Sequence, residues 1–229
     1  MTASPPVRTL VRADSSIGEV ALRARGSVTE LVVNGTFVMD TVDVSTEIAL
    51  AACTLDRHAA PHRVLVGGLG LGFTAREVLT DSRVEQLTVI EIAAPLVAWA
   101  QEGLLPTDLQ DARLRLLVGD VADVVGSSEG EWDLILLDVD NGPGFLVRAE
   151  NAELYAAGGV GRLLAALAPG GVLAIWSSHR DAALLATLAA ATPEPIEEMV
   201  LPVQREGRSF DYAIYLARIG DRVLTERRP

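Results

Sequence analysis

The sequence predicts an α/β protein: a mostly parallel sheet flanked by helices and closed by a C-terminal antiparallel hairpin, behind a small N-terminal β-hairpin domain. Three observations predict it. From Arg63 onward, apolar runs of strand length alternate with helical stretches, the pattern of parallel βαβ units. One of those runs, Val64–Val66, feeds directly into glycines at 67, 68, 70 and 72. Ahead of Arg63 lie short β-rich stretches separated by tight-turn residues rather than by helices.

Taken in order, Ile17–Arg25, Val28–Val33 and Thr36–Thr41 are β-rich within residues 7–41, and Asn34-Gly35 signals a type I′ hairpin. Between Thr46 and Leu55 the apolar residues Ile48, Ala49, Ala52 and Leu55 recur at helical spacing. The turn Ala60-Pro61-His62 then separates the two patterns. The predicted parallel strands are Val64–Val66, Leu87–Ile90, Leu114–Leu117, Leu134–Leu137 and Val172–Trp176. Helices are predicted near Thr74–Leu79, Pro95–Glu102, Leu154–Leu167 and Asp181–Ala191. Glu198–Val203 and Tyr212–Ala217, with a turn at Glu206-Gly207, supply the closing hairpin. Five parallel strands followed by such a hairpin is the order of a class I methyltransferase-type Rossmann-like fold rather than a dehydrogenase one. The boundaries this implies are 1–44 for the small β domain, 45–220 for the nucleoside-binding domain and 221–229 for a polar tail.

Composition narrows the function. The 229 residues carry a formal charge of −12, which argues against phosphate-backbone binding and so against nucleic-acid partners. Nearly half the residues, 49%, are hydrophobic, enough for a sizeable core, yet no apolar run is long enough to span a bilayer and the start lacks a signal-peptide core. The single cysteine, Cys53, excludes an internal disulfide and any cysteine-cluster metal site. A cytoplasmic protein with no metal is the expectation. All 19 basic residues are arginine, which removes Schiff-base chemistry and the lysine-dependent phosphate loop. His58, His62 and His179 lack metal-ligand spacing. Ser177-Ser178 lacks a nucleophile elbow.

The chemistry concentrates at the ends of the predicted strands. Gly68, Gly70 and Gly72 let the backbone turn sharply after the first parallel strand and approach a ligand, and the following helix offers its N-terminal dipole. Glu91 ends the next strand, 19 residues after Gly72, where a carboxylate accepts from both ribose hydroxyls of an adenosine. Gly70-x-Gly72-x-x-Ala75 also satisfies a dinucleotide fingerprint, so a dehydrogenase stands as an alternative. Against it, Val118-Gly119-Asp120 ends the third strand with an acid able to accept from an adenine amine, beside Val121. The fourth strand ends in Asp138-Val-Asp140-Asn141. An acid after each of three successive strands suits a sulfonium nucleoside, whose pocket needs no pyrophosphate site.

With these stretches, Leu65–Glu77, Val89-Ile-Glu91, Val118-Gly-Asp120, Leu136-Leu-Asp138 and Glu153-Leu-Tyr155…Pro169-Gly-Gly-Val-Leu173, the chain resembles the spermidine synthase-like polyamine aminopropyltransferases over about residues 28–218. The resemblance implies a small N-terminal β domain, a Rossmann-like catalytic domain and a homodimer. It also implies that Glu91 holds ribose, Asp120 adenine, and that Asp138 activates the attacking amine, with Asp140 its rival as base. Four positions depart from the family pattern. Leu71 stands where an acid is expected to hold the amine of decarboxylated S-adenosylmethionine, and Asn141 replaces an outer acid. Ser45-Thr46-Glu47 replaces a Tyr-His-Glu, leaving Glu47, and Trp176 lies within the segment that replaces a Gln. Glu47, Asn141 and Trp176 are therefore the candidate acceptor contacts. The expectation is transfer from S-adenosylmethionine or a close analogue to a small-molecule acceptor, methyl transfer being preferred because of Leu71. Polyamine aminopropyl transfer and a non-catalytic nucleoside binder are the alternatives.

Overall fold

The computed structural model describes residues 5–139, 149–205 and 208–221. Strands β1 (Val7–Ser15), β2 (Gly18–Arg25), β3 (Val28–Val33) and β4 (Thr36–Asp40) form an antiparallel meander in chain order. Asn34 and Gly35 have φ of 50° and 75°, the left-handed pair that a type I′ turn demands. The Asn34 amide also donates to the Ile17 carbonyl and its oxygen accepts from the Glu19 N–H, stitching the β3–β4 turn to the β1–β2 turn. Strand β1 adds to the three strands marked from sequence. It was illegible because a register shift between Thr9 and Val11 breaks its alternation, and its apolar Val7 and Leu10 face solvent.

Helix α1 (Ser45–Leu55) leads into the second sheet, built from β5 (Arg63–Gly67), β6 (Gln86–Glu91), β7 (Leu114–Val118), β8 (Trp132–Leu137), β9 (Leu167–Ser177), β10 (Glu197–Arg205) and β11 (Arg208–Arg218). Its order is β10-β11-β9-β8-β5-β6-β7, with β5 to β9 parallel and β10 and β11 antiparallel. The order reverses at β5, which lies between β6 and β8. In open parallel sheets that reversal opens a crevice beyond the carboxyl ends of the strands. The turn at Glu206-Gly207 lies outside the described residues.

The connecting helices are α2 (Phe73–Thr80), α3 (Ala94–Gln101), α4 (Val121–Ser127), α5 (Ala152–Tyr155), α6 (Ala157–Ala166) and α7 (Ala182–Ala191). Two corrections to the sequence reading follow. Leu154–Leu167 is not one helix: it breaks at Ala156 (ψ 162°), where Gly159 packs so tightly that a Cβ there would lie 2.0 Å from the Glu153 carbonyl oxygen. Leu167 opens β9 instead of ending a helix. Helix α4 was unmarked because its valines read as strand, but Asp120 caps it by accepting from the Ala122 N–H at 2.9 Å.

Alternation along the central strands divides the core in two. Val64 and Val66 of β5, with Leu134 and Leu136 of β8, face a cluster that also holds Leu50 of α1 and Val20, Leu22 and Leu31 of the first sheet. Leu65, Ile135 and Leu137 face the other cluster, with Val121 of α4, Leu163 of α6 and Leu188 of α7. The meander thus shares a core with the parallel sheet and is held over its crevice. Among the described residues no helix is long and apolar enough to cross a membrane.

Candidate active site

A cavity of about 140 Å³ occupies the crevice, between the ends of β5, β6, β7 and β8 on one side and the first sheet on the other. Its floor is the turn after β5. Gly68 (φ 91°) and Gly70 (φ 53°) line it as bare backbone. A Cβ at Gly68 would sit 2.1 Å from the Asp138 carbonyl oxygen, so glycine alone fits there. At Gly70 a Cβ would meet Met39 Sδ at 2.8 Å. Met39, from β4, also accepts from the Leu71 N–H at 3.3 Å and so clasps the turn from above.

Two expectations about this turn need correction. Gly72 is not among the residues lining the cavity: it caps α2 at φ 88°, with the Thr107 hydroxyl in the space where a Cβ would go. The Leu71 side chain is fully buried in the core. It therefore closes the underside of the turn and is no part of the cavity wall.

Three predicted acids do come together around the cavity. Glu91, at the end of β6, is buried, and its two oxygens accept from the N–H groups of Leu69 (2.9 Å) and Ala93 (2.8 Å). It thereby ties the turn after β5 to the turn after β6. Burial pushes its pKa up, and the N–H groups of Ala93, Leu69, Gly70 and Ile92 oppose that rise. Asp120, at the end of β7, caps α4 and lines the cavity next to Val121. Asp138, just beyond β8, accepts from the Thr74 hydroxyl at 2.7 Å. Its pKa is raised, first by burial and also by the nearby Glu91 charge, with the Thr74 bond working the other way. A carboxylate biased toward holding a proton is one that can take a proton from a reacting group.

Glu47 lies in the first turn of α1, accepts from the Thr46 hydroxyl at 2.8 Å, and lines the cavity with Trp176 from the end of β9. Asp140 and Asn141 lie outside the described residues. Sequence reasoning missed Met39, Thr74 and Asn151, together with the apolar wall contributed by the first sheet. Only their fold neighbours reveal them, since no spacing rule connects β4 to the glycine turn. His62 pairs with Glu85 at the surface, His58 accepts from the Ala60 N–H, and no cluster of three or more possible metal ligands occurs among the described residues.

A mostly parallel sheet with a glycine turn after its central strand and a C-terminal antiparallel pair is the fold of the class I methyltransferase-like α/β proteins. More narrowly, its fold is like that of solved spermidine synthases. A spermidine synthase solved with the transition-state analogue AdoDATO superposes with a TM-score of 0.78 over 93% of this chain and 74% of that one, at 19% identity. Spermidine synthase from Thermotoga maritima gives 0.74 over 93% and 73%, at 18% identity. Sequence similarity is local. The polyamine aminopropyltransferase of Ruegeria sp. is 41% identical over 106 residues, 44% of this chain and 37% of that protein. That of Synechococcus sp. is 31% identical over 144 residues, 57% of this chain and 45% of that protein. The chain therefore matches less than half the length of these curated relatives. No protein-family model matches the chain. These relatives and structural neighbours are aminopropyltransferases and spermidine synthases, whereas the expectation drawn from Leu71 was methyl transfer.

Proposed function

We propose that the protein transfers an aminopropyl group from decarboxylated S-adenosylmethionine to a small amine acceptor. The observation that carries this reading is the convergence of Glu91, Asp120 and Asp138 with the bare backbone of Gly68 and Gly70 on one cavity. Glu91 accepts from the ribose hydroxyls and Asp120 from the adenine amine, and the glycine turn lets the nucleoside lie close to the chain. The sulfonium then points toward Asp138.

In the reaction, the acceptor ammonium gives a proton to Asp138 and the freed nitrogen lone pair attacks the aminopropyl carbon next to sulfur. A C–N bond forms, the C–S bond breaks with its electron pair going to sulfur, and neutral methylthioadenosine leaves. The proton passes from Asp138 to solvent. Positioning and this one proton transfer supply the catalysis, with no metal required. Calorimetric titration with decarboxylated S-adenosylmethionine, S-adenosylmethionine and methylthioadenosine tests the donor. Tighter binding of the decarboxylated donor than of the intact one, with release of methylthioadenosine once an amine is added, is the expected result. Preference for intact S-adenosylmethionine would restore methyl transfer. Binding without turnover of any amine would make the protein a nucleoside binder.

A further inference from the structure

Resting on that reading, the remaining wall of the cavity bears on the acceptor. The donor end is polar, with Glu91, Asp120 and the glycine turn. The opposite wall, contributed by the first sheet, is apolar throughout: Ile17, Leu31, Val33, Val38 and Met39. Trp176 faces the same space from β9. Its ring stands edge-on to Tyr212 of β11, with centroids 5.2 Å apart at 80°. Tyr212 in turn contacts Phe210, two residues earlier on that strand, at 6.4 Å. Phe210 is exposed, so the three rings form a row from the cavity wall to the surface. The Trp176 indole N–H is buried and makes no hydrogen bond among the described residues, where ring packing holds this side chain.

We infer that the acceptor is an amine with one cationic head and an apolar or aromatic body, the head at Asp138 and the body between the first sheet and Trp176. A linear diamine threaded into the same space lays its second ammonium along the apolar first-sheet wall, where Glu47 is the one lining carboxylate among the described residues outside the donor end and Asp138, and an ammonium taken from water without a full counter-charge is costly. Glu47, the lining carboxylate nearest that wall in sequence, already accepts from Thr46 and sits at the N-terminal end of α1, where the helix dipole favours its charge. An aromatic ring and aliphatic side chains reward an apolar body by removing its surface from water.

The test compares phenethylamine and isoamylamine with putrescine and spermidine as acceptors, using decarboxylated S-adenosylmethionine and following methylthioadenosine release. The monoamines are expected to exceed the polyamines in kcat/KM by about tenfold or more, the scale of one aromatic contact plus its buried area. Trp176→Gln should shrink that ratio by about tenfold while Trp176→Phe keeps most of it, because only the second preserves a ring. Methylthioadenosine affinity, measured alongside, reports that each variant is folded. The wild-type comparison decides even where a variant fails that control. Putrescine equal to or better than the monoamines overturns the inference and leaves aminopropyl transfer standing. Donor binding with no amine turned over overturns both.

Discussion

In the proposed reaction Asp138 takes the proton, and that role carries two expected outcomes. Asp138→Asn removes the proton acceptor while keeping the side chain's size and its place beside Thr74. Turnover should fall by about a hundredfold or more with nucleoside affinity little changed, as read from steady-state rates beside calorimetry. Turnover in the wild-type protein should rise with pH through the Asp138 pKa, above the usual carboxylate range, because only the ionised form takes a proton. Stability runs the opposite way. A carboxyl whose folded pKa is raised holds its proton more tightly when folded, so its contribution is full below the unfolded pKa and is lost as pH rises through the folded one. Asp111 is the contrast: Arg113 holds it down to about 2, so its contribution is present above the ordinary range and fades as acid approaches that value. Urea titrations of wild type and Asp138→Asn across acid and neutral pH should show the variant gaining on wild type as pH rises. At this scale the sequence was informative where a residue's type and its position at a strand end bring it to the cavity, as for Glu91, Asp120 and Asp138. It was silent on Met39 and Thr74, which matter only through contacts between distant segments, and misleading at Leu71, whose side chain turns inward.

Among the elements, the turn after β5 is the least tolerant. Gly68→Ala places a methyl group against the Asp138 carbonyl at a backbone angle that non-glycine residues rarely adopt. It should weaken methylthioadenosine binding by tenfold or more, the result of displacing the turn by even part of an ångström, and calorimetry will show it. The β3–β4 hairpin offers a milder case. Asn34→Ala loses two side-chain hydrogen bonds and forces a left-handed angle on alanine, at a cost of about 1–3 kcal/mol, readable as a lower denaturation midpoint with unchanged slope. Both turns were legible because glycine and asparagine announce unusual backbone angles directly. Helix α4 and the break before α6 were not, since each depends on one local contact that outweighs propensity: the Asp120 cap in the first, the close approach of Gly159 to Glu153 in the second.

On the scale of the whole molecule, the shared core joins the two sheets into one cooperative unit. The three tryptophans, Trp99, Trp132 and Trp176, all lie in the parallel-sheet half, whereas Leu22 lies in the first sheet, fully buried. Leu22→Ala should cost about 2–5 kcal/mol, and tryptophan fluorescence should report the whole of that loss. A fluorescence transition unmoved by the substitution would mean that the sheets unfold separately. The parallel order and closing hairpin were legible from apolar periodicity alone. The way the meander folds over the crevice was not, because the packing of one sheet on another leaves no periodic mark in either. Placing the cavity across that seam makes any occupant a rivet between the halves. A ligand present at a hundred times its dissociation constant raises the unfolding free energy by about 2.7 kcal/mol, so the melting temperature of the entire chain becomes a gauge of occupancy. Heating the protein with one candidate amine after another, nucleoside already bound, turns the search for the acceptor into a ranking of melting points.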